Sequence, residues 1–263
     1  MGTYRVVSLD DSLGDVGELN RVRSISIDRS ISDKASMLES CSVTFDQPGD
    51  FRGGWHRIER IDGDRKALGV FRLERDSLSI NRGVSTVTAV GYSVLKPADE
   101  TILPPGSYAK AGEDGVALAV EMLSTCPGKT FSYGQVSLSS SIVFDDGASA
   151  LDAAWNVLDA IGYRIRLDGN GDKHVEPLPE SASLELNSDT FRSILPGVSV
   201  SRGEVKLVRT YDGSTRPGDL AVVDLPRYGA DIVGRVKAQS LGIGPHLSLT
   251  ETISEEVRGW KSS

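Results

Sequence analysis

The residues that come closest to a metal site lie between Asp168 and Asp172, in the sequence Asp-Gly-Asn-Gly-Asp. Oxygen-bearing side chains at the first, third and fifth positions are the ligands that a hard cation such as Ca²⁺ takes. A calcium-binding loop also requires glycine at position six and glutamate at position twelve, whereas this chain has Lys173 and Pro179 there. We therefore interpret the segment as a hairpin turn and predict that the protein binds no metal.

Other residue types that could do chemistry are dispersed along the chain. Three histidines lie on three different predicted strands, without the spacing of zinc ligands: His56, His174 and His246. Glu59, Asp62 and Asp64 cluster near a turn, and paired carboxylates can serve glycoside hydrolysis, but solvated turn residues are the commoner case. There is no Gly-x-Ser-x-Gly elbow, no phosphate-binding loop and no dinucleotide fingerprint. The sequence predicts a protein that is not an enzyme, with no catalytic residue and no cofactor.

Trp55 follows two glycines and allows two interpretations. An exposed tryptophan on a loop could anchor a partner or a sugar. Alternatively, Trp55 is an aromatic residue at a strand edge that covers the end of a barrel. We favour the second interpretation.

Composition excludes several classes of protein. The formal net charge is −8, from 37 acidic and 29 basic residues, which argues against a protein that grips nucleic acid. Cys41 alternates with Val43 and Phe45, as a buried free thiol on a strand does, and Cys126 is too distant in sequence to suggest a disulfide framework. We expect a soluble protein that folds in a reducing cytoplasm, without a membrane segment or an export signal.

The elements that would position these residues alternate between β and mixed structure. Six short alternating strands are predicted between Tyr4 and Leu95, followed by a linker with three prolines over residues 96–106. Asp114 can cap a following helix, and the chain is predicted to be β again from Val198 to Ile253.

A second helix and a hairpin form the middle of the chain. Apolar residues recur at helical spacing: Leu151, Ala154, Trp155, Leu158 and Ile161. Asp145 or Asp146 can cap this helix, and Gly162 can end it in the left-handed conformation. Next, apolar residues that begin at Tyr163 alternate with Arg164 and Arg166 up to Asp168, where the chain turns and returns.

The two β regions share a weak internal repeat. Residues 69–90, which begin at Gly69, parallel residues 234–253, which begin at Gly234, when a two-residue gap is allowed. A duplication would give two similar barrels, whereas convergence of ordinary β-hairpins would explain the match without one.

The middle segment resembles a known family. A helix centred on Trp155, then Gly162 and Tyr163, then a strand that ends at Asp168 and a return strand that ends in proline are similar to the middle domain of baseplate or tail hub proteins. These belong to tailed bacteriophages and related contractile injection machines. Residues 68–73 and 86–97 are similar to the family's first barrel, and residues 195–197 with 201–203 to the start of its second barrel. The resemblance covers residues 20 to 260.

The resemblance implies an α+β, mostly β fold with two small tube-protein-like β-barrels that flank a mixed α/β domain. The domains would be residues 1–97, 98–190 and 191–263. The implied structural signature is Leu151, Trp155, Leu158, Gly162, Tyr163, Asp168, Gly69 and Gly234.

The implied function is structural, in the virion. As a homotrimeric tail-tip or baseplate hub, the protein would adapt the sixfold tail tube to a threefold tip or spike and line the channel used in DNA ejection. Its partners would be the tail tube or a distal tail protein ring, a tip, spike or fibre protein, and the tape measure protein. No sequence-specific nucleic acid binding is expected. Two alternatives are a tail-associated cell-wall hydrolase and a β-rich module that binds host carbohydrate.

Overall fold

A computed structural model describes most of the chain. The described residues are 3–31, 38–46, 53–62, 64–81, 84–186, 198–201, 204–210, 213, 215–225, 230–243 and 247–255. The predictions for His246 and for residues 195–197 and 202–203 lie outside them. Two compact units are formed: Met1–Ile25 with Lys34–Pro177, and Ser26–Asp33 with Leu178–Ser263. The three-domain division stays a prediction.

The first unit begins with a large antiparallel sheet. Its strands are β1 (Thr3–Leu9), β2 (Asp15–Leu19), β3 (Val22–Ser30), β4 (Glu39–Asp46), β5 (Gly54–Asp62), β6 (Asp64–Asn81) and β7 (Val84–Ser93), and the last residues of β3 belong to the second unit. The hydrogen-bonded order is β3-β4-β7-β6-β5-β1-β2. The six predicted strands are confirmed, and β2 was missed. Cys41, Val43 and Phe45 are buried, because alternate residues of a strand share one face.

The remainder of the first unit is mixed α and β. It contains helices α1 (Lys96–Glu100), α2 (Gly115–Met122) and α3 (Ala150–Ile161), and strands β8 (Tyr108–Ala109), β9 (Thr130–Ser132), β10 (Ile142–Val143), β11 (Tyr163–Leu167) and β12 (Lys173–Pro177). β8 pairs with β10, and the other three strands form a sheet in the order β11-β12-β9. Helices α2 and α3 pack on each other through a core that includes Ala153, Val157 and Phe144.

Helix boundaries test three of the sequence predictions. The predicted linker is wrong at its start, because Pro97 occupies the first turn of α1, where its missing N–H costs nothing. Asp114 caps α2 as predicted, through the N–H groups of Val116 and Ala117. α3 is capped by Ser149 in a reciprocal capping box with Asp152, so the cap predicted at Asp145 or Asp146 is wrong.

The second unit is a sheet built on a small apolar core. Its strands are β13 (Ala182–Leu186), β14 (Val198–Ser201), β15 (Glu204–Thr210), β16 (Leu220–Leu225), β17 (Ala230–Ile243) and β18 (Leu247–Glu255). The order of these described strands is β14-β15-β18-β17-β16-β13; β13 pairs with β16 in parallel, and the other pairs are antiparallel. Val205, Leu207 and Val223 are among the residues of the core.

Each unit contains the same arrangement of four consecutive strands. In the first, the order is β4-β7-β6-β5, and in the second it is β15-β18-β17-β16, with every pair antiparallel. Both are Greek keys. Gly69 lies on β6 opposite Ile58 of β5, and Gly234 lies on β17 opposite Ala221 of β16. In chain order, each glycine therefore lies on the third of the four strands and is paired with a residue of the second strand.

The fold class is α+β and mostly β, as predicted, but the two separate barrels are not confirmed. In the first unit, the described strands follow an open path from β3 to β2, and these two strands do not pair with each other. No helix among the described residues is both long and apolar enough to span a membrane.

Candidate functional site

The segment from Asp168 to Asp172 is the predicted hairpin turn. The Oδ1 atom of Asp168 accepts the backbone N–H groups of Asn170 at 2.8 Å and of Asp172 at 2.9 Å. Asp172 Oδ1 accepts the N–H of Lys129 at 2.8 Å. These carboxylates therefore organise the backbone of the turn and of the adjoining segment. Within the described ranges, no three His, Cys, Asp or Glu side chains are grouped as metal ligands would be.

The tip of this hairpin rests on the large sheet of the same unit. A Cβ atom at Gly169 would lie 2.1 Å from the carbonyl oxygen of Ala67 on β6. Gly171 has a φ of 84°, and a Cβ atom there would lie 2.9 Å from Cγ1 of Val94. Both glycines are needed for this close approach, and Gly171 also for the left-handed backbone.

Lys173 fixes the return strand from within and was not predicted. Its side chain is fully buried, and its Nζ donates to the carbonyl oxygens of Pro127 at 2.5 Å, Gly128 at 3.2 Å and Cys126 at 3.4 Å. Burial lowers the pKa of Lys173, while its neighbours Cys126 and Asp172 act in the opposite direction. The alternation along β12 could have predicted this burial, because Lys173 and Val175 are two residues apart and therefore lie on the same, inward face of the strand.

The outer face of the three-stranded sheet carries an aromatic cluster. His174 stacks on Phe131, with ring centroids 5.1 Å apart, and on Tyr133 at 6.0 Å. His174 Nδ1 also lies 3.0 Å from the Tyr133 hydroxyl. Phe131 is 41% exposed and Tyr133 is 47% exposed. We call Phe131, Tyr133 and His174 the aromatic cluster; it is the best-defined exposed apolar feature of this sheet.

Asp168, His174 and Tyr133 form an acid, imidazole and hydroxyl row, which is the order of groups that activates a nucleophile in hydrolases. The Asp168 Oδ2 to His174 Nε2 distance is 3.9 Å, which is too long for a hydrogen bond. The imidazole is instead positioned by stacking on its two aromatic neighbours and by the contact of its Nδ1 with the Tyr133 hydroxyl. Because the hydrogen bond between the acid and the imidazole is missing, we assign no catalytic role to these three residues.

Arg164, Arg166 and Glu176 form an ion-pair group on the same sheet. Arg164 Nη2 donates to Glu176 Oε1 at 2.8 Å, and Arg166 Nε donates to the same oxygen at 3.0 Å. Burial raises the pKa of Glu176, but the hydrogen bonds from Arg166 and Arg164 outweigh it, so that the pKa is lowered. Arg164 is buried, although the alternation pattern placed it opposite the apolar face of its strand. The ion pair explains how this charge is accommodated.

Glu59 is likewise paired and buried, which corrects the expectation of a solvated turn carboxylate. It accepts hydrogen bonds from Arg5 Nε at 2.5 Å and from Arg57 Nε at 2.8 Å. Burial raises the pKa of Glu59, but the two arginines lower it by more, so that the net shift is downward. Asp64 is exposed at the start of β6. Glu59 is therefore a member of a structural ion-pair network.

The sequence also singled out Trp55, His56 and two cysteines, and all four are buried. Trp55 is only 9% exposed on β5, so the interpretation as an exposed anchor is wrong. His56 is also buried; burial lowers its pKa although its Nδ1 lies 2.8 Å from the carbonyl oxygen of Gly54. Both free cysteines, Cys41 and Cys126, are buried.

Helix α3 has the predicted apolar face, except that Trp155 is less buried than Leu151 and Leu158 of that face. Leu151 and Leu158 are buried, and Gly162 ends the helix with a φ of 71°, as predicted. Trp155 is half-buried and lies at the margin of the face, and its indole N–H is buried without a hydrogen-bond acceptor among the described residues. Tyr163 at the start of β11 is also half-buried.

A buried polar network ties the strands of the second unit together. Arg209 Nε donates to Glu251 Oε2 at 2.5 Å, and Gln239 Nε2 donates to Glu251 Oε1 at 2.7 Å. The Thr215 hydroxyl accepts from Arg209 Nη2 at 2.6 Å and contacts Glu251. Glu251 is fully buried, so the network anchors the segment at Thr215 to strands β15, β17 and β18.

No protein-family model and no curated protein matches this sequence. Several solved structures match its fold. The tail protein from Neisseria meningitidis MC58 is 13% identical, has a TM-score of 0.69, and is matched over 97% of its length by 96% of this chain. The 43 kDa tail protein of prophage MuSo2 from Shewanella oneidensis is 11% identical, has a TM-score of 0.66, and is matched over 98% by 96% of this chain.

A third structure comes from Escherichia coli. It is a component of the type VI secretion system that exhibits structural similarity to the T4 bacteriophage tail proteins gp27 and gp5. It is 10% identical to this chain, has a TM-score of 0.57, and is matched over 74% of its length by 90% of this chain. The resemblance to phage tail and injection-machine proteins that the sequence predicted is thereby confirmed as a resemblance of fold.

Proposed function

We propose that this protein is a structural component of a phage tail tip, the hub that joins the tail tube or a distal tail protein ring to a tip, spike or fibre protein. The near-complete match in fold to two tail proteins supports a place in the tail. The third match, to a component that is similar to gp27 and gp5, supports the narrower assignment to a hub. The protein would then be part of the virion.

The observation that carries the proposal is the repeated four-strand arrangement. The orders β4-β7-β6-β5 and β15-β18-β17-β16 have the same connectivity and the same antiparallel pairing. A duplication of one module accounts for this, and three subunits would then present six similar modules. A closed homotrimer of such subunits could join a sixfold tube on one side to a threefold tip on the other.

The charge of the chain is compatible with lining a channel through which DNA and the tape measure protein pass. The formal net charge is −8, so a wall with at least as many acidic as basic groups would not retain phosphates. No catalytic step is required for this role. Glu59, once a candidate for acid chemistry, is held between arginines, and Trp55, the candidate sugar anchor, is buried.

Electron cryomicroscopy of the purified oligomer tests the proposed arrangement. We expect a threefold particle in which the two four-strand modules of each subunit superimpose strand for strand and lie at one radius around a channel. The mixed α/β domain should lie outside or below that ring. Modules at two different radii, or a particle without a channel, would refute the adaptor role even if the protein is a tail component.

A further inference from the structure

Strand β9 leaves one edge of its sheet without a partner in the described residues. It is the last strand in the order β11-β12-β9 and pairs in parallel with β12. Lys129 and Tyr133 flank β9 and bond towards β12: Lys173 N–H donates to Lys129 O at 2.8 Å, and Tyr133 N–H donates to Val175 O at 3.0 Å. Because the bonding direction alternates along a strand, Thr130 and Ser132 direct their N–H and C=O groups away from β12.

An apolar surface lies beside this open edge. Phe131 and Tyr133 are two residues apart on an extended chain, so their side chains share one face, and His174 stacks against both rings. An extended chain added at the edge would place every second side chain on that face, next to the exposed rings. The edge thus offers main-chain groups for pairing and side-chain contacts for selection.

The charge near the aromatic cluster indicates which side chains would fit. Asp168 uses Oδ1 for both backbone N–H groups of its turn, and Oδ2 lies on the side of His174. Arg166 lies opposite His174 in the register, and its charge is engaged by Glu176. The electron-rich ring faces and the Asp168 carboxylate therefore remain to favour a cation, most readily the planar guanidinium of arginine. The net charge of −8 attracts a basic segment at longer range.

We propose that the open edge of β9 binds an extended, basic segment of another protein. The segment would pair with the main chain of Thr130 and Ser132 and place an arginine or lysine side chain over the aromatic cluster beside Asp168. This surface goes beyond the proposed hub role and does not depend on it, since the argument uses only the main chain and side chains of this sheet.

The experiment uses the full chain and two end-blocked synthetic peptides. One peptide alternates valine with arginine, and its matched control has glutamate in place of every arginine. Biolayer interferometry measures binding, and hydrogen exchange of the wild-type protein locates it. We expect the arginine peptide to bind about tenfold more tightly than the glutamate peptide and to protect the amides of Thr130 and Ser132.

The key variant is Ser132→Pro, because proline is accepted on an edge strand whose N–H faces outward. It removes the outward donor and leaves the bonds towards β12 in place. Binding should weaken about tenfold relative to the matched Ser132→Ala variant, which keeps the N–H group. Phe131→Ser serves as a second variant, with a similar loss expected, and melting temperatures show whether each variant is folded.

Several results would overturn the proposal. These are no detectable binding of the arginine peptide, equal binding of both peptides, protection elsewhere than at residues 130–133, or equal binding by the proline and alanine variants. Concentration-dependent self-association of the wild type that Ser132→Pro abolishes would assign the edge to a second copy of this chain, and so would also overturn it.

Discussion

Lys173 Nζ donates a 2.5 Å hydrogen bond to the carbonyl oxygen of Pro127, in a position where the lysine side chain is fully buried. This contact joins the return strand of the central hairpin to the segment that follows helix α2. Two further carbonyl oxygens of the same segment accept from the same ammonium group. A charge therefore holds together two parts of the unit that are 46 residues apart in sequence.

Lys173→Met should lower the free energy of unfolding by about 3 kcal/mol, because carbonyl oxygens that lose a charged donor remain buried and unpaired. Urea denaturation measures the loss. The matched control is Lys129→Met, which removes an exposed lysine nearby and should change stability by less than about 0.5 kcal/mol. Equal effects of the two substitutions would show that the buried hydrogen bonds contribute nothing specific.

Gly171→Ala tests the docking of the hairpin tip on the large sheet. Its left-handed backbone alone should cost about 1 to 2 kcal/mol, and the contact with Val94 should add to that cost. Gly112→Ala is the control, since Gly112 has a φ of 87° but open space where a Cβ atom would lie. In thermal unfolding, the melting temperature of Gly171→Ala should be well below that of Gly112→Ala. The same melting temperature for both variants would contradict the docking contact.

Trp155→Ala should destabilise the protein by about 3 kcal/mol, at the low end for a buried aromatic residue, because the indole is only half-buried. Trp155→Phe should cost much less, since it keeps most of the ring and removes a buried N–H group that has no acceptor among the described residues. Chemical denaturation of both variants provides the comparison. A loss for Trp155→Phe as large as that for Trp155→Ala would mean that the N–H group has a partner.

The Glu176 ion-pair group predicts an acid-sensitive contribution to stability. The folded state lowers the pKa of Glu176 from its ordinary value of 4.5, because the hydrogen bonds from Arg166 and Arg164 outweigh the effect of burial. The stabilisation is therefore fully present above pH 4.5 and is lost as the pH falls through the folded-state pKa.

Unfolding free energies at about pH 6 and about pH 3 should differ less for Glu176→Gln than for the wild type. Glu121→Gln, which changes an exposed glutamate of α2, should keep the wild-type difference. If Glu176→Gln also keeps that difference, the ion pair does not contribute to acid sensitivity.

Local patterns predicted most elements of the first unit. The alternation of Cys41, Val43 and Phe45 identified a strand, and Gly162 identified the end of α3, because each depends on neighbouring residues only. β2 was missed because four of its five residues are exposed, so that it has no apolar alternation. The cap at Ser149 was missed because two nearby aspartates satisfy the same pattern.

Contacts between distant segments could not be predicted from such patterns. The pairing of Glu59 with Arg5 links residues 54 positions apart, and the clearance at Gly169 depends on a carbonyl oxygen of β6. The aromatic cluster likewise requires β9 to lie beside β12, in a parallel pairing that no turn sequence specifies. Residue types alone placed Glu59 among solvated turn residues.

The central claim, that three copies supply six related modules, is tested most directly by the mass of the purified oligomer. Native mass spectrometry under conditions that preserve non-covalent assemblies should give three times the subunit mass of 28.2 kDa. A stable sixfold oligomer, or a monomer at every concentration measured, would contradict the adaptor mechanism.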